Sequence, residues 1–164
     1  LNDISYTFEE GKKYVLVGAS GAGKSTLAKV IAGLYDAFDG TITCGGKDVR
    51  RMTRRKITRT IAIIPQSPFL FNGTVRENIT LFSSKWTEEA VLAAARQAGL
   101  GALLAVLPQG LQSEIKENSL SGGQAQRIGI ARSILRKPDV LLADEPTANL
   151  DSQIADDIEH LLMD

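Results

Sequence analysis

The sequence predicts an α/β fold, in which short buried strands alternate with amphipathic helices. An apolar run from Tyr14 to Val17 ends at a glycine-rich turn, and a helical pattern follows it. Two similar apolar runs lie further along the chain, from Ile61 to Ile64 and from Val140 to Ala143, and Pro65 directly follows the first of them. Such short uninterrupted runs are typical of strands that are buried on both faces of a sheet.

The elements between these strands follow from periodicity and from capping residues. The first helix carries an apolar face at i, i+3, i+4 and i+7, formed by Leu27, Val30, Ile31 and Leu34. Thr41 to Cys44, followed by two glycines, predicts a strand that enters a tight turn in a small antiparallel β part.

The middle of the chain, from about Phe69 to Leu120, is predicted to be mostly helical. Thr87 can cap a helix whose first turn is acidic and which ends at Gly99. The buried face of this helix is predicted to consist of Val91, Ala94, Ala95 and Ala98.

Composition favours one soluble globular domain. The 164 residues are 43% apolar and 23% charged, with a net charge of zero, so no global field attracts polyanions. A local basic cluster is better explained as a solvated helical face than as a nucleic-acid site, because no aromatic residue is interleaved for base stacking; it comprises Arg50, Arg51, Arg54, Arg55, Lys56 and Arg59. Cys44, the single cysteine, cannot form an internal disulfide.

Gly18 to Ser25 fits the pattern G-x-x-x-x-G-K-[ST], between a predicted strand and a predicted helix. The glycines allow backbone N–H groups to point at a phosphate chain, and the helix adds its positive N-terminus. Lys24 can reach the β- and γ-phosphates, and the Ser25 hydroxyl can bind Mg²⁺. The sequence therefore predicts a phosphate-binding loop.

Asp144 and Glu145 directly follow the apolar run that begins at Val140. In an open α/β sheet, ligands bind at the carboxyl ends of the strands, so both carboxylates are expected at the phosphate site. Asp144 can hold Mg²⁺ through water, and Glu145 can orient and deprotonate an attacking water molecule. An acidic cap on the next helix is the alternative explanation of this pair. Together with the phosphate loop, the carboxylates indicate an ATPase or GTPase.

The segment from Leu120 to Gln124 indicates which class of ATPase or GTPase this is. Ser121 can cap a helix, and Gly122 and Gly123 expose amides at its positive end, which makes a second anion-binding site. The pentapeptide resembles the signature of ATP-binding cassette (ABC) proteins, and its distance from Asp144 also matches that family. The resemblance covers nearly the whole chain. It implies a P-loop NTPase with a RecA-like core (1–68 and 128–164) and a helical subdomain (69–127) within a single ABC ATPase domain.

The resemblance also implies the roles of individual residues. Gln66 matches the glutamine-loop residue, which links magnesium and water to the helical subdomain, and Asp151 matches the D-loop aspartate. Nucleotide binding is expected from Gly18, Ser20, Gly21, Ala22, Gly23, Lys24, Ser25, Thr26, Ser121, Gly122, Gly123, Gln124 and Asp151. Metal binding is expected from Ser25, Gln66 and Asp144, and catalysis from Glu145, Lys24 and Gln66.

Pro65 to Ile79 resembles the exporter subgroup, although Glu114 to Ser119 is shorter than the glycine-rich stretch usual in exporters. The family's adenine-stacking aromatic is expected before Leu1 and its switch histidine beyond Asp164. Tyr6 is too close to Gly18 for the role of that aromatic and is predicted to be a core residue. His160 lies in the predicted helix after Asp151, too early for the switch position, and is predicted to be a surface residue.

The resemblance implies an ATP- and Mg²⁺-dependent ATPase domain of an exporter at the cytoplasmic face of the cell membrane. Its expected partners are a second nucleotide-binding domain, arranged head to tail, and the transmembrane domains of the transporter; no nucleic acid is expected. One alternative is a soluble ABC ATPase of DNA repair or translation, though the chain has no long coiled coil and no second cassette. Another is a non-catalytic regulatory cassette, against which Lys24 and Glu145 argue.

Overall fold

A computed structural model describes residues 1–36, 38–116, 119–148, 150 and 152–163. Within these ranges the chain forms seven α-helices and six strands, together with two short 3₁₀ helices, Val49–Arg51 and Gly110–Gln112. The helices are α1 (Lys24–Ile31), α2 (Arg54–Thr60), α3 (Val75–Thr80), α4 (Glu88–Gln97), α5 (Gly101–Val106), α6 (Gly122–Arg136) and α7 (Ser152–Met163). The strands are β1 (Thr43–Cys44), β2 (Lys47–Asp48), β3 (Ile61–Ile64), β4 (Gly73–Thr74), β5 (Glu114–Ile115) and β6 (Val140–Ala143).

The parallel pair of β3 and β6 is the part of the sheet that positions the site. Ile61 lies opposite Val140 and Ile64 opposite Ala143, and the Asp144 N–H donates to the Ile64 carbonyl at 2.9 Å. Two of the three predicted buried strands are therefore confirmed as strands. Their common direction brings the residues after Ile64 and the residues after Ala143 to the same edge.

The prediction of a buried strand from Tyr14 to Val17 is wrong. These residues form no strand among the described residues, and their side chains are 41% to 86% exposed. An apolar run favours a strand, but its burial requires neighbours on both edges and cover on both faces. For the same reason β6, which pairs with β3 alone in the described part of the chain, is only partly buried, and its Leu141 is 44% exposed.

Tyr6 is also not the core residue that was expected, since it is 64% exposed. Its ring packs on Phe8 and Tyr14 in a surface cluster, with centroids 4.9 and 5.8 Å away. Aromatic pairs stabilise such edge-to-face arrangements without enclosing either ring completely. His160 is exposed on α7, which confirms its prediction as a surface residue.

Helix α1 ends one turn earlier than its periodicity predicts. Gly33 has a φ of 67°, and the Leu34 N–H donates to the Lys29 carbonyl at 2.9 Å, which is a Schellman-type termination. Leu34 is therefore outside the helix and 50% exposed, whereas the prediction placed it on the apolar helix face. Local glycine geometry outweighs the apolar repeat at this position.

Strands β1 and β2 form a hairpin around the predicted tight turn, although the strand that was predicted to begin at Thr41 begins at Thr43. Cys44 lies opposite Lys47, and Gly45 and Gly46 between them have φ values of 55° and 74°. Positive φ at both loop residues is what a type I′ turn requires. The basic residues that follow this hairpin are exposed, as predicted for a solvated face.

The helical middle of the chain confirms the predicted capping and burial. The Thr87 hydroxyl accepts from the Ala90 N–H at 3.3 Å. The predicted face of α4 is at most 3% exposed; it consists of Val91, Ala94, Ala95 and Ala98. One hydrophobic cluster joins these residues to α6, to Ile64 of β3 and to Ile158 of α7. Helix α6 runs unbroken across residues 127 and 128, the predicted boundary between the helical subdomain and the core.

Within the described ranges, no helix combines the length and apolar character that crossing a bilayer requires.

Candidate functional site

The predicted phosphate loop forms a turn that leads into α1. Gly21 and Gly23 have φ values of 78° and 91°, which favour glycine, and the Ala22 N–H donates to the Ala19 carbonyl at 3.1 Å. No side chain caps the N-terminus of α1, so first-turn amides lack a capping partner. A loop and helix start of this kind can bind an anion.

Lys24 is held against this loop. Its Nζ donates to the carbonyls of Gly18 and Ala19 at 2.9 and 3.1 Å, and it lies 3.9 Å from Glu145 Oε1. The side chain is 22% exposed, so its charge is partly shielded from water without being enclosed. The ammonium group is thus fixed between the loop and a carboxylate, where it can contact a phosphate bound by the loop.

Ser25 and Asp144 form the second pair of the site. The Ser25 hydroxyl donates to Asp144 Oδ1 at 2.7 Å, although 119 residues separate the two positions. Both groups present oxygen atoms, which Mg²⁺ prefers, and Mg²⁺ commonly takes only one or two carboxylates, completing its shell with water and substrate phosphates. The pair therefore fits a magnesium site. No group of three or more His, Cys, Asp or Glu residues suited to a metal occurs among the residues described.

Glu145 and Gln66 complete the assembly. Gln66 Nε2 donates to Glu145 Oε2 at 3.4 Å, and the Glu145 side chain is 50% exposed. Glu145 has a φ of 45°, in the left-handed region that residues other than glycine seldom adopt. Backbone strain of this kind is most common at functional sites. Five predicted site residues thus meet at one edge of the β3–β6 pair: Lys24, Ser25, Gln66, Asp144 and Glu145.

The signature residues form the N-terminus of α6, as predicted. Ser121 and Gln124 make a reciprocal capping box, in which Gln124 N–H donates to Ser121 Oγ at 3.3 Å and Ser121 N–H donates to Gln124 Oε1 at 2.9 Å. A Cβ added to Gly123 would lie 2.9 Å from Ile154 Cγ2, so glycine permits the close approach of α7. Ser121 and Gly122 are exposed.

The signature is not joined to the phosphate loop in this chain: among described residues, no hydrogen bond or ion pair connects the two motifs. Asp151, the predicted D-loop aspartate, lies outside the described residues, as do Asn149 and Glu117.

Two polar residues of α6 were not predicted to matter: the buried Gln126, next to the glutamine segment, and the partly buried Arg132. Gln126 is 2% exposed, and its Nε2 donates to the Pro65 carbonyl at 3.4 Å. Arg132 donates to the Asn78 carbonyl at 2.8 Å, and burial lowers the pKa of its guanidinium to about 10. For Gln126 the available signal was helical spacing, because it lies four residues before the buried Ile130 and therefore on the same face of α6.

Comparison with known proteins identifies the family. A model of the ABC transporter family matches residues 1–148. The chain is 42% identical over 154 residues to the heterocyst differentiation ATP-binding protein HepA of Nostoc sp., covering 93% of this chain and 25% of that protein. It is 38% identical over 160 residues to the ATM1-type heavy metal exporter of Novosphingobium aromaticivorans, covering 96% of this chain and 26% of that protein.

A solved structure shares the fold. The structure of a bacterial Atm1-family ABC exporter with ATP bound matches 88% of this chain and 26% of its own, with a TM-score of 0.79 and 37% identity. This likeness confirms the predicted α/β fold with a P-loop core. The chain spans about a quarter of the length of these relatives. By its motifs, its fold and the match over residues 1–148, the chain belongs to the ABC transporter family.

Proposed function

We propose that this chain is the ATP-binding and ATP-hydrolysing domain of an exporter, and that it uses Mg²⁺ as cofactor. The observation that carries this proposal is the meeting of Lys24, Ser25, Gln66, Asp144 and Glu145 at one edge of the parallel β3–β6 pair. These residues come from three separate parts of the sequence, and each belongs to a type that phosphoryl transfer requires. The exporter names of the relatives support the wider role.

Nucleotide binding rests on the phosphate loop. Amides from Gly18 to Thr26 would surround the phosphates, and Lys24 would exchange its carbonyl partners Gly18 and Ala19 for phosphate oxygens. Ser25, Asp144 and the Gln66 side chain would hold Mg²⁺, which neutralises phosphate charge when bound. Asp151 is proposed to contact nucleotide as well, on the family resemblance alone.

Hydrolysis is proposed to begin with Glu145. One Glu145 oxygen accepts a proton from a water molecule, whose oxygen attacks the γ-phosphorus while the bond to the β–γ bridging oxygen breaks. The products are ADP and inorganic phosphate. Lys24, which lies 3.9 Å from Glu145, is placed to stabilise negative charge on the γ-phosphate, and Gln66 to orient the water.

A second copy of the domain is the proposed partner for Ser121, Gly122, Gly123 and Gln124. Within one chain the signature caps α6, and Ser121 and Gly122 are exposed, so this helix end is open to a ligand from outside. A head-to-tail pair related by a two-fold axis would bring it to the partner's phosphate loop. We retain residues 69–127 as the helical subdomain that carries the signature.

The transmembrane half of the transporter is the other proposed partner, which would hold this domain at the cytoplasmic face of the membrane. An exposed aromatic cluster, consisting of Phe69, Phe71 and Phe82, supports a docking surface for this partner; Phe69 and Phe71 closely follow Gln66 in the sequence. These rings are 39% to 56% exposed and stack edge to face, with centroids 4.9 and 5.6 Å apart. Contiguous exposed apolar side chains commonly mark contact sites.

Removing the Ser25 hydroxyl tests the magnesium site. In the full-length protein, Ser25→Ala should raise the Mg²⁺ concentration for half-maximal ATP hydrolysis by roughly ten- to a hundredfold, the usual cost of losing a group that supports a metal. Ser84→Ala, which removes an exposed hydroxyl elsewhere, is the matched control. An unchanged magnesium requirement in Ser25→Ala would contradict the proposed site, and absence of hydrolysis in wild type would contradict the proposed function.

A further inference from the structure

Helix α6 touches the segment around Gln66 at two points. The buried Gln126 amide donates to the Pro65 carbonyl through a long hydrogen bond of 3.4 Å. Three residues later, a Cβ added to Gly129 would lie 2.8 Å from Pro68 Cγ and 3.2 Å from Pro68 Cβ. Because residues three apart lie on the same face of a helix, both contacts fall on one face of α6.

The two contacted residues, Pro65 and Pro68, flank Gln66 in a short, stiff segment. Pro65 precedes it, only Ser67 separates it from Pro68, and each proline fixes its own φ and restricts the residue before it. A shift of either proline is therefore passed on to Gln66, whose amide lies 3.4 Å from Glu145 Oε2. The segment has little internal freedom to absorb the movement.

The same helix begins at the signature. Ser121 caps α6 five residues before Gln126, which corresponds to about 7.5 Å along the helix axis. A buried amide is costly unless it is hydrogen-bonded, so Gln126 contributes little as a packing residue compared with an apolar side chain. Its identity is explained by the carbonyl that it reaches, 61 residues away in sequence.

We infer that Gln126 and Gly129 are positioning residues that couple the helix carrying the signature to Gln66. Among the described residues neither of them is joined to the phosphate loop or to the carboxylates by a hydrogen bond, and they act by holding the glutamine segment where Gln66 meets Glu145. A ligand that moves Ser121 would thereby move Gln66. This inference rests on the proposed ATPase function.

The test is the kinetics of ATP hydrolysis by the full-length protein. Gln126→Leu removes the hydrogen-bond donor at similar volume and should lower turnover by about ten- to a hundredfold, as expected when a catalytic group is misplaced by an ångström. The half-saturating Mg²⁺ concentration should rise, whereas KM for ATP should change by less than about twofold, because the phosphate loop is untouched.

Two further variants separate positioning from loss of structure. Gly129→Ala puts a methyl group against Pro68 and should therefore reduce turnover. Because alanine favours the helical conformation more than glycine does, the substitution should not weaken α6 itself. Ser133→Ala is the matched control, since it removes another buried hydrogen bond of α6, Ser133 Oγ to the Gly129 carbonyl at 3.3 Å. Its turnover and magnesium requirement should match those of wild type.

The decisive comparison combines Gln126→Leu with Gln66→Ala. If Gln126 acts through Gln66, the double variant should be no slower than Gln66→Ala alone; multiplied effects, or normal turnover in both Gln126→Leu and Gly129→Ala, would overturn the inference. Wild-type hydrolysis that needs Mg²⁺ and is lost in Lys24→Ala tests the proposed function separately. If that test succeeds and the α6 variants behave like wild type, only the inference fails.

Discussion

Glu145→Gln is expected to lower the ATP turnover of the full-length protein by about a hundredfold to ten-thousandfold, the usual contribution of a general base. The substitution preserves the shape of the side chain but removes the oxygen that accepts the proton. Glutamine can still accept the Gln66 contact, now 3.4 Å from Glu145 Oε2, through its carbonyl oxygen. ATP should therefore bind and persist unhydrolysed, which trapped radiolabelled nucleotide would measure.

The control for Glu145→Gln is Glu114→Gln, which removes one carboxylate from an exposed position on β5. Its turnover should equal that of wild type. Normal turnover in Glu145→Gln would show that another group takes the proton. Loss of ATP binding in that variant would show that Glu145 contributes to binding ATP and not to the transfer of the proton.

The second large effect is expected in mixed dimers of Lys24→Ala and Ser121→Arg. In a homodimer of either variant both sites are damaged, so ATP-driven closure and nucleotide trapping should be abolished. If each site combines Lys24 of one copy with Ser121 of the other, a mixed dimer has one site with both lesions and one intact site. One nucleotide per dimer should then be trapped.

Trapped nucleotide is the appropriate readout for the mixed dimer, because hydrolysis can require both sites. If each chain acted alone, both chains of the mixed dimer would be damaged and no nucleotide would be trapped. Absence of trapping in the mixed dimer, with normal trapping in wild type, would therefore contradict the shared site. This experiment is motivated by the separation of the two motifs within one chain, where no hydrogen bond between described residues joins the signature to the phosphate loop.

Local signals in the sequence predicted the elements whose structure is itself local. The Thr87 cap, the buried face of α4 and the Ser121 cap of α6 depend on residues within one or two turns, and the structure confirms all three. The meeting of Gln66 with Glu145 was also predictable, because strands that run parallel end at a common edge.

Predictions failed where the outcome depends on partners distant in sequence. The run from Tyr14 to Val17 has the composition of a buried strand, but burial depends on neighbouring strands that a local run does not specify. Gln126 is the converse case. A glutamine is usually exposed, whereas this one is buried and donates to the Pro65 carbonyl, a partner 61 residues away that no local pattern specifies.

The central claim is that the loop from Gly18 to Ser25 binds the phosphates of ATP through Lys24, and calorimetric titration of the full-length protein with ATP and Mg²⁺ tests it most directly. Lys24→Ala should weaken binding by roughly ten- to a hundredfold or more, since a hydrogen bond to a charged group contributes about 1.5–3 kcal/mol. Lys47→Ala, which removes an exposed lysine from β2, should bind ATP like wild type. Equal affinity in wild type and in folded Lys24→Ala would contradict the claim.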